Sequence, residues 1–261
     1  MTSEVEDKPL TEILPYVFQH PKELLIQLEA MRKHILRSLL YLIITTTVAF
    51  TEITPILDFL TRPLEGGLET LQAIDVTEGV GTVMRVALLG GFLMAFPLLA
   101  FEVWLFFVAG LHRKQRLPSL FAIPVSLLFF VGGMAFAYYF LLPAALPLLL
   151  NFMGIETIPR PNSYFPFVVN LLFWMGLFFE FPLVIFILAK LGIVNARGLA
   201  SQWRLAIVIM AILSALITTT TDPANMMLMM LPMIVLYVVG IGLAYIGQKT
   251  KPPSETVPTQ T

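Results

Sequence analysis

Hydrophobic residues in this chain come in long continuous runs rather than in alternation. A helix needs roughly 20 apolar residues to cross about 30 Å of hydrocarbon at about 1.5 Å per residue. Six runs are candidates: Ile35–Phe50, Val83–Ala109, Leu120–Phe152, Phe165–Leu191, Leu205–Ile217 and Met226–Ile246. The third is long enough to tilt, or to bend at Pro143 and Pro147. The fifth holds thirteen apolar residues and reaches only about 20 Å. A β-barrel would need period-2 alternation, which these runs lack, so the pattern predicts an all-α polytopic membrane protein of six spans. Ahead of the first run, Leu24, Leu25, Leu28, Met31, Ile35 and Leu39 recur at helical spacing among charges. That stretch reads as an amphipathic helix lying in the membrane interface before the chain dives.

Composition agrees. Of 261 residues, 57% are apolar and 13% charged, about half the charged share of soluble domains. Mean hydropathy is +0.85. These values exclude an ordinary soluble domain, a disordered chain and a nucleic-acid binder. With no cysteine, there is no disulfide framework, thiolate nucleophile or Cys-ligated metal. Residues 1–21 are expected to be flexible, 22–248 to form the membrane domain, and the Pro/Thr-rich tail 249–261 to be disordered. The N-terminus does not read as a cleaved signal, because its first apolar run begins behind a polar stretch with no small-residue cleavage site.

Basic residues give the orientation. Thirteen fall in the segments on one side of the predicted spans and three on the other. By the positive-inside rule, both termini are cytoplasmic. The first outer segment, Thr51–Thr82, instead carries Glu52, Asp58, Glu65, Glu69, Asp75 and Glu78.

Ionisable groups inside a bilayer are costly and mark function by default. Glu180 lies within the fourth run, between Phe179 and Phe181 and just before Pro182. It reads either as a polar contact point for a partner helix or as a carboxyl hydrogen-bonded inside the bundle. Glu102 stands about seven residues before the cytoplasmic end of the second run, where it snorkels to the interface or pairs with Arg32 or Arg113. Asp222 followed by Pro223 suits an N-cap with proline at the first helical position. No catalytic constellation and no metal site is visible: His20, His34 and His112 are scattered. Met226, Met227, Met229, Met230 and Met233 read as pliable packing. No cofactor is expected.

Several motifs carry a resemblance. Phe96-Pro97-Leu98, Glu102-Val103-Trp104-Leu105-Phe106, Gly110-Leu111 and Gly133-Met134-Ala135-Phe136-Ala137-Tyr138-Tyr139-Phe140 with Pro143 resemble TatC, the multispanning subunit of the twin-arginine protein translocase. Phe179-Glu180-Phe181-Pro182 is similar to that family's fourth span with its intramembrane glutamate, and Thr220-Thr221-Asp222 stands where the family has a Thr-Pro-Pro-Asp turn. The resemblance covers about Pro21–Gln248. It implies a concave, glove-like bundle that receives twin-arginine signal peptides and assembles, in several copies, with the single-span partners TatA and TatB. Folded proteins would be exported on the proton-motive force, without an enzyme activity of the chain itself. Glu180 inherits the partner-helix contact.

The signal-binding acids depart from the family pattern. The family's glutamate before Arg-Lys is Ala30 here, with the nearest acid at Glu29, and its loop glutamate is Gln115, next to Arg113-Lys114. A carboxylate grips guanidinium in a bidentate charged contact that an amide cannot make. Glu29 and Glu102 are the acids left to compensate, with Gln115 and Arg113 beside them. Two other readings stay open: a paralogue that scaffolds membrane proteins without signal recognition, and a proton- or ion-coupled transporter using Glu180 and Asp222.

Overall fold

The structure, a computed structural model, describes residues 21–108, 120–151, 157–217 and 223–249. These are helical with short connections. The first span is α1, Pro21–Thr51, followed by the short α2, Ile53–Thr61, and a 3₁₀ turn at Gly67–Thr70. The second is α3, Glu78–Val108. The third comprises α4, Ala122–Phe136, a π turn at Ala137–Leu141, and α5, Leu142–Leu150. The fourth is α6, Pro161–Leu191. After the short α7, Ala196–Ser201, come α8, Trp203–Ile217, and α9, Pro223–Lys249. Five of these spans have the length and apolarity to cross a membrane, and α8 is the shorter sixth.

Three features refine the sequence reading. First, the amphipathic stretch does not lie apart from the first span: it continues into it as one 31-residue helix. No glycine or proline falls between Lys22 and Thr51 to break it. Second, the bend expected at Pro143 takes the form of the π turn. The Leu142 N–H donates to the carbonyl of Ala137, five residues back. Pro143 has no N–H and crowds the carbonyl four residues before it, and the widened turn makes room for both. Third, α8 is 15 residues, about 22 Å. The expectations for the chain ends fall outside the described residues, except that Pro21 and Lys249 are helical.

Burial of apolar area does little to join helices inside lipid, so close packing of small residues carries the contact. The spans form an open wall. α1 packs on α3, α3 on α6, α4 on α6, α9 along α6, and α8 on α9. Gly91 lets α3 meet α1 so closely that a Cβ there would lie 2.5 Å from the Cα of Thr46. At Gly133 a Cβ would lie 2.6 Å from the carbonyl oxygen of Met175, so α4 and α6 touch backbone to backbone. Between these approaches runs an aromatic seam: Phe96 stacks on Phe130 at 3.9 Å, and Phe92 meets Phe173 edge-on at 5.0 Å. α6 ends where Gly192 turns left-handed at φ 80°, with Lys190 in its last turn.

Basic residues gather at one end of the wall, acidic ones at the other. At the acidic end Arg160 pairs with the buried Glu78, and Arg85 donates to Asn162 at 3.0 Å. There two carbonyls in the last turn of α2, one of which (Phe59) also takes the Arg62 N–H at 3.4 Å, accept from two tyrosines. Tyr138 O–H reaches Phe59 O at 2.6 Å, and Tyr164 O–H reaches Leu60 O at 2.8 Å.

Candidate functional site

Two polar clusters interrupt the apolar wall in its basic half. The first joins α1 to α3. Glu102 is 4% exposed. His34 Nδ1 lies 2.5 Å from its Oε2, Tyr41 O–H donates to Oε1 at 3.4 Å, and Arg37 stands 4.0 Å away. The partner expected from the sequence, Arg32, does not make this contact. Helical phase is the reason. His34, Arg37 and Tyr41 follow one another at three- and four-residue steps on the side facing α3, whereas Arg32 and Lys33 are turned away and exposed. Glu102 therefore does not snorkel to the interface: its carboxyl is held between two helices. The other expected partner, Arg113, and Gln115 lie outside the described residues, as does Asp222. Pro223 is the first residue of α9. Glu29 lies on α1, five residues before His34, and its side chain is outside the description.

His34 and Tyr41 are the residues that sequence reasoning missed here. The signal was present as a polar stripe at helical spacing, His34, Ser38, Tyr41 and Thr45, on an otherwise apolar helix. Among scattered histidines, His34 carries no sequence mark of a partner acid on the neighbouring span.

The second cluster lies between α4 and α6. Glu180 is the twentieth of the 31 residues of α6, about 16 Å from its basic end. Ser126 Oγ donates to its Oε2 at 2.8 Å. The Phe130 amide faces the carboxyl as well, and among the described residues no donor meets the buried Oε1 with full hydrogen-bond geometry. One oxygen is thus satisfied within the wall, and the other is left with acceptor capacity. A buried polar atom in that state gains from any donor brought to it. The next residue but one, Pro182, is fully buried, and its Cα lies 3.8 Å from where a Cβ on Gly240 of α9 would stand.

Comparison with known proteins gives these clusters a setting. The profile of the family described as Sec-independent protein translocase protein (TatC) matches residues 27–232. The chain is 33% identical over 242 residues to the Sec-independent protein translocase protein TatC of Carboxydothermus hydrogenoformans, covering 92% of this chain and 95% of that protein. It is 32% identical to the protein of the same name from Koribacter versatilis, covering 84% and 83%. A crystal structure of the twin arginine translocase receptor TatC superposes with a TM-score of 0.75 at 26% identity, covering 85% of this chain and 99% of that one. The family's profile spans both clusters, and its solved fold carries the same arrangement of spans; this chain is a multi-pass membrane protein that belongs to the TatC family of protein translocase components.

Proposed function

We propose that this chain is the core and receptor subunit of a twin-arginine translocase. It binds twin-arginine signal peptides at its basic end and assembles with TatA- and TatB-like single-span proteins, and with further copies of itself. Folded proteins then leave the cell on the proton-motive force. In this reading the chain sits in the cytoplasmic membrane with both termini inside, in line with the uneven distribution of basic residues. It is a receptor and scaffold with no cofactor and no catalytic step of its own.

The observation that carries the proposal is the His34–Glu102 contact. It fixes the first half of α1 against the last turns of α3, the two helices that flank the family's signal-binding positions. Glu29 precedes that contact on α1, and Gln115 and Arg113 follow α3 in the sequence; in this reading they form the recognition site. Glu29 supplies the first carboxylate, Gln115 accepts through its amide oxygen, and Arg113 sets the local field. Glu102 contributes its charge from behind. Glu180, with its uncommitted Oε1, receives a polar side chain from a partner helix.

Photocrosslinkers at positions 29, 102 and 115 test this in native membranes, against a signal peptide with Arg-Arg and the same peptide with Lys-Lys. Crosslinks at 29 and 115 that require Arg-Arg are expected. A second reading draws on Ala30 and Gln115: a paralogue that keeps the scaffold and has lost the recognition site. Equal crosslinking by the two peptides, with partner-helix crosslinks intact, would establish it instead.

A further inference from the structure

After Glu180 the chain carries a single acid, Asp222, before the tail. Over the same stretch it carries Lys190, Arg197, Arg204 and Lys249, all exposed. None of them forms an ion pair among the described residues.

The fold gathers these cations on one ledge. Ala189, Ala196 and Ala244 share a buried cluster, which brings Lys190, at the end of α6, and Arg197, on α7, to the side of α9. Gln248 Nε2 donates to Val194 O at 3.2 Å and Asn195 Oδ1 at 3.0 Å, holding the start of α7 beside Lys249. Tyr237 O–H donates to Leu199 O at 2.6 Å, holding the end of α7 eleven residues further up α9. α7, six residues and about 9 Å long, is thus held against α9 from both ends, with Lys190 and Lys249 by its start, Arg197 along it, and Trp203 and Arg204 just past its end. The Arg204 guanidinium lies 5.5 Å from the Trp203 ring centre, and Trp203 is half exposed. Tryptophan favours the boundary between headgroups and acyl chains, where its ring is apolar and its N–H is wet.

We infer that this ledge is a binding site for anionic phospholipid. Arg197 and Arg204 hold the headgroup phosphate, Trp203 lies against the glycerol and upper acyl region, and Lys190 and Lys249 add charge from below. The match is one of charge and depth: several exposed cations, without an ion pair among the described residues, border an apolar surface, where a lipid offers a phosphodiester joined to hydrocarbon. The inference goes beyond signal recognition and does not depend on it.

The test is native mass spectrometry of the full chain released from micelles containing equal amounts of phosphatidylglycerol and phosphatidylcholine. The wild type is expected to retain phosphatidylglycerol preferentially. Arg197→Gln with Arg204→Gln should weaken that preference by about fivefold for each charge removed, while Arg197→Lys with Arg204→Lys keeps most of it. Both arginines are exposed and form no ion pair among the described residues, so a melting curve is expected to show the variants folded. Arg62→Gln, at the acidic end, serves as control and should change nothing. An unchanged preference in the double glutamine variant would overturn the site, as would an equal loss in Arg62→Gln. Displacement of the bound lipid by inorganic phosphate alone would overturn lipid as the ligand.

Discussion

His34 and Glu102 stand 68 residues apart in sequence, and their side chains meet at 2.5 Å. This contact joins the first and second spans near their basic ends. Removing the carboxyl strands an imidazole, a tyrosine hydroxyl and a nearby guanidinium. Glu102→Ala is expected to cost about 2 kcal/mol, the scale of a lost hydrogen bond to a charged group. Glu102→Gln keeps an acceptor and should cost less. Thermal unfolding in detergent orders the three proteins. If the alanine variant melted with the wild type, the contact would not be holding α1.

Glu180 is half committed, with Ser126 on one oxygen. Substituting each member separates an internal role from an external one. Ser126→Ala should destabilise the protein by about 1 kcal/mol while partner-helix crosslinking persists. Glu180→Ala should abolish that crosslinking. Normal crosslinking in Glu180→Ala would confine this carboxyl to packing.

Two adjacent glycines give a sharp contrast. A Cβ at Gly133 would meet the Met175 carbonyl at 2.6 Å and the Phe179 Cβ at 2.8 Å, whereas at Gly132 it meets nothing within 4 Å. Gly133→Ala should force α4 from α6 and cost about 1–3 kcal/mol, the usual penalty of overpacking. Gly132→Ala should be nearly neutral. Equal melting temperatures for the two variants would contradict the close approach.

Tyr164 and Tyr138 cap the same short helix from different spans. Tyr164→Phe should cost about 1 kcal/mol, with faster amide exchange in α2 as the local readout. Tyr138→Phe should cost about the same while preserving its ring stack on Phe59, 4.4 Å between centres. Unchanged exchange in both variants would show that α2 is held by its apolar face alone.

The spans were legible because each is a long apolar run, and hydrocarbon thickness fixes the length that such a run must have. Glu180 was legible for a related reason, as a charge with no solvent around it. The partners were not. Ser126 looks like any serine in a helix, and only the register of α4 on α6, set by Gly133, brings it to Glu180. Of the two arginines that charge alone suggests for Glu102, Arg113 lies outside the described residues and Arg32 is turned away, because the rotation of α1 about its axis brings His34 and Arg37 to face α3 instead. Tyr138 lies inside a motif that carries the resemblance, yet its hydrogen bond reaches Phe59 on a separate helix, 79 residues away, which local sequence does not announce.

The backbone contact at Gly91 and Thr46 also bears on how the protein is made. The helix with the most neighbours, α6, is the fourth span to leave the ribosome, so three spans emerge before it exists. Chains begin folding from the N-terminus during synthesis. The first two spans already hold everything their mutual contact needs: a glycine to admit a backbone, and an acid and an imidazole to fix the register. They can pair in the bilayer as a finished hairpin, and each later span then docks onto a surface already in place. Biogenesis then starts from the N-terminal edge of the wall, and a defect at Gly91 would act during insertion, before the mature protein is ever assembled.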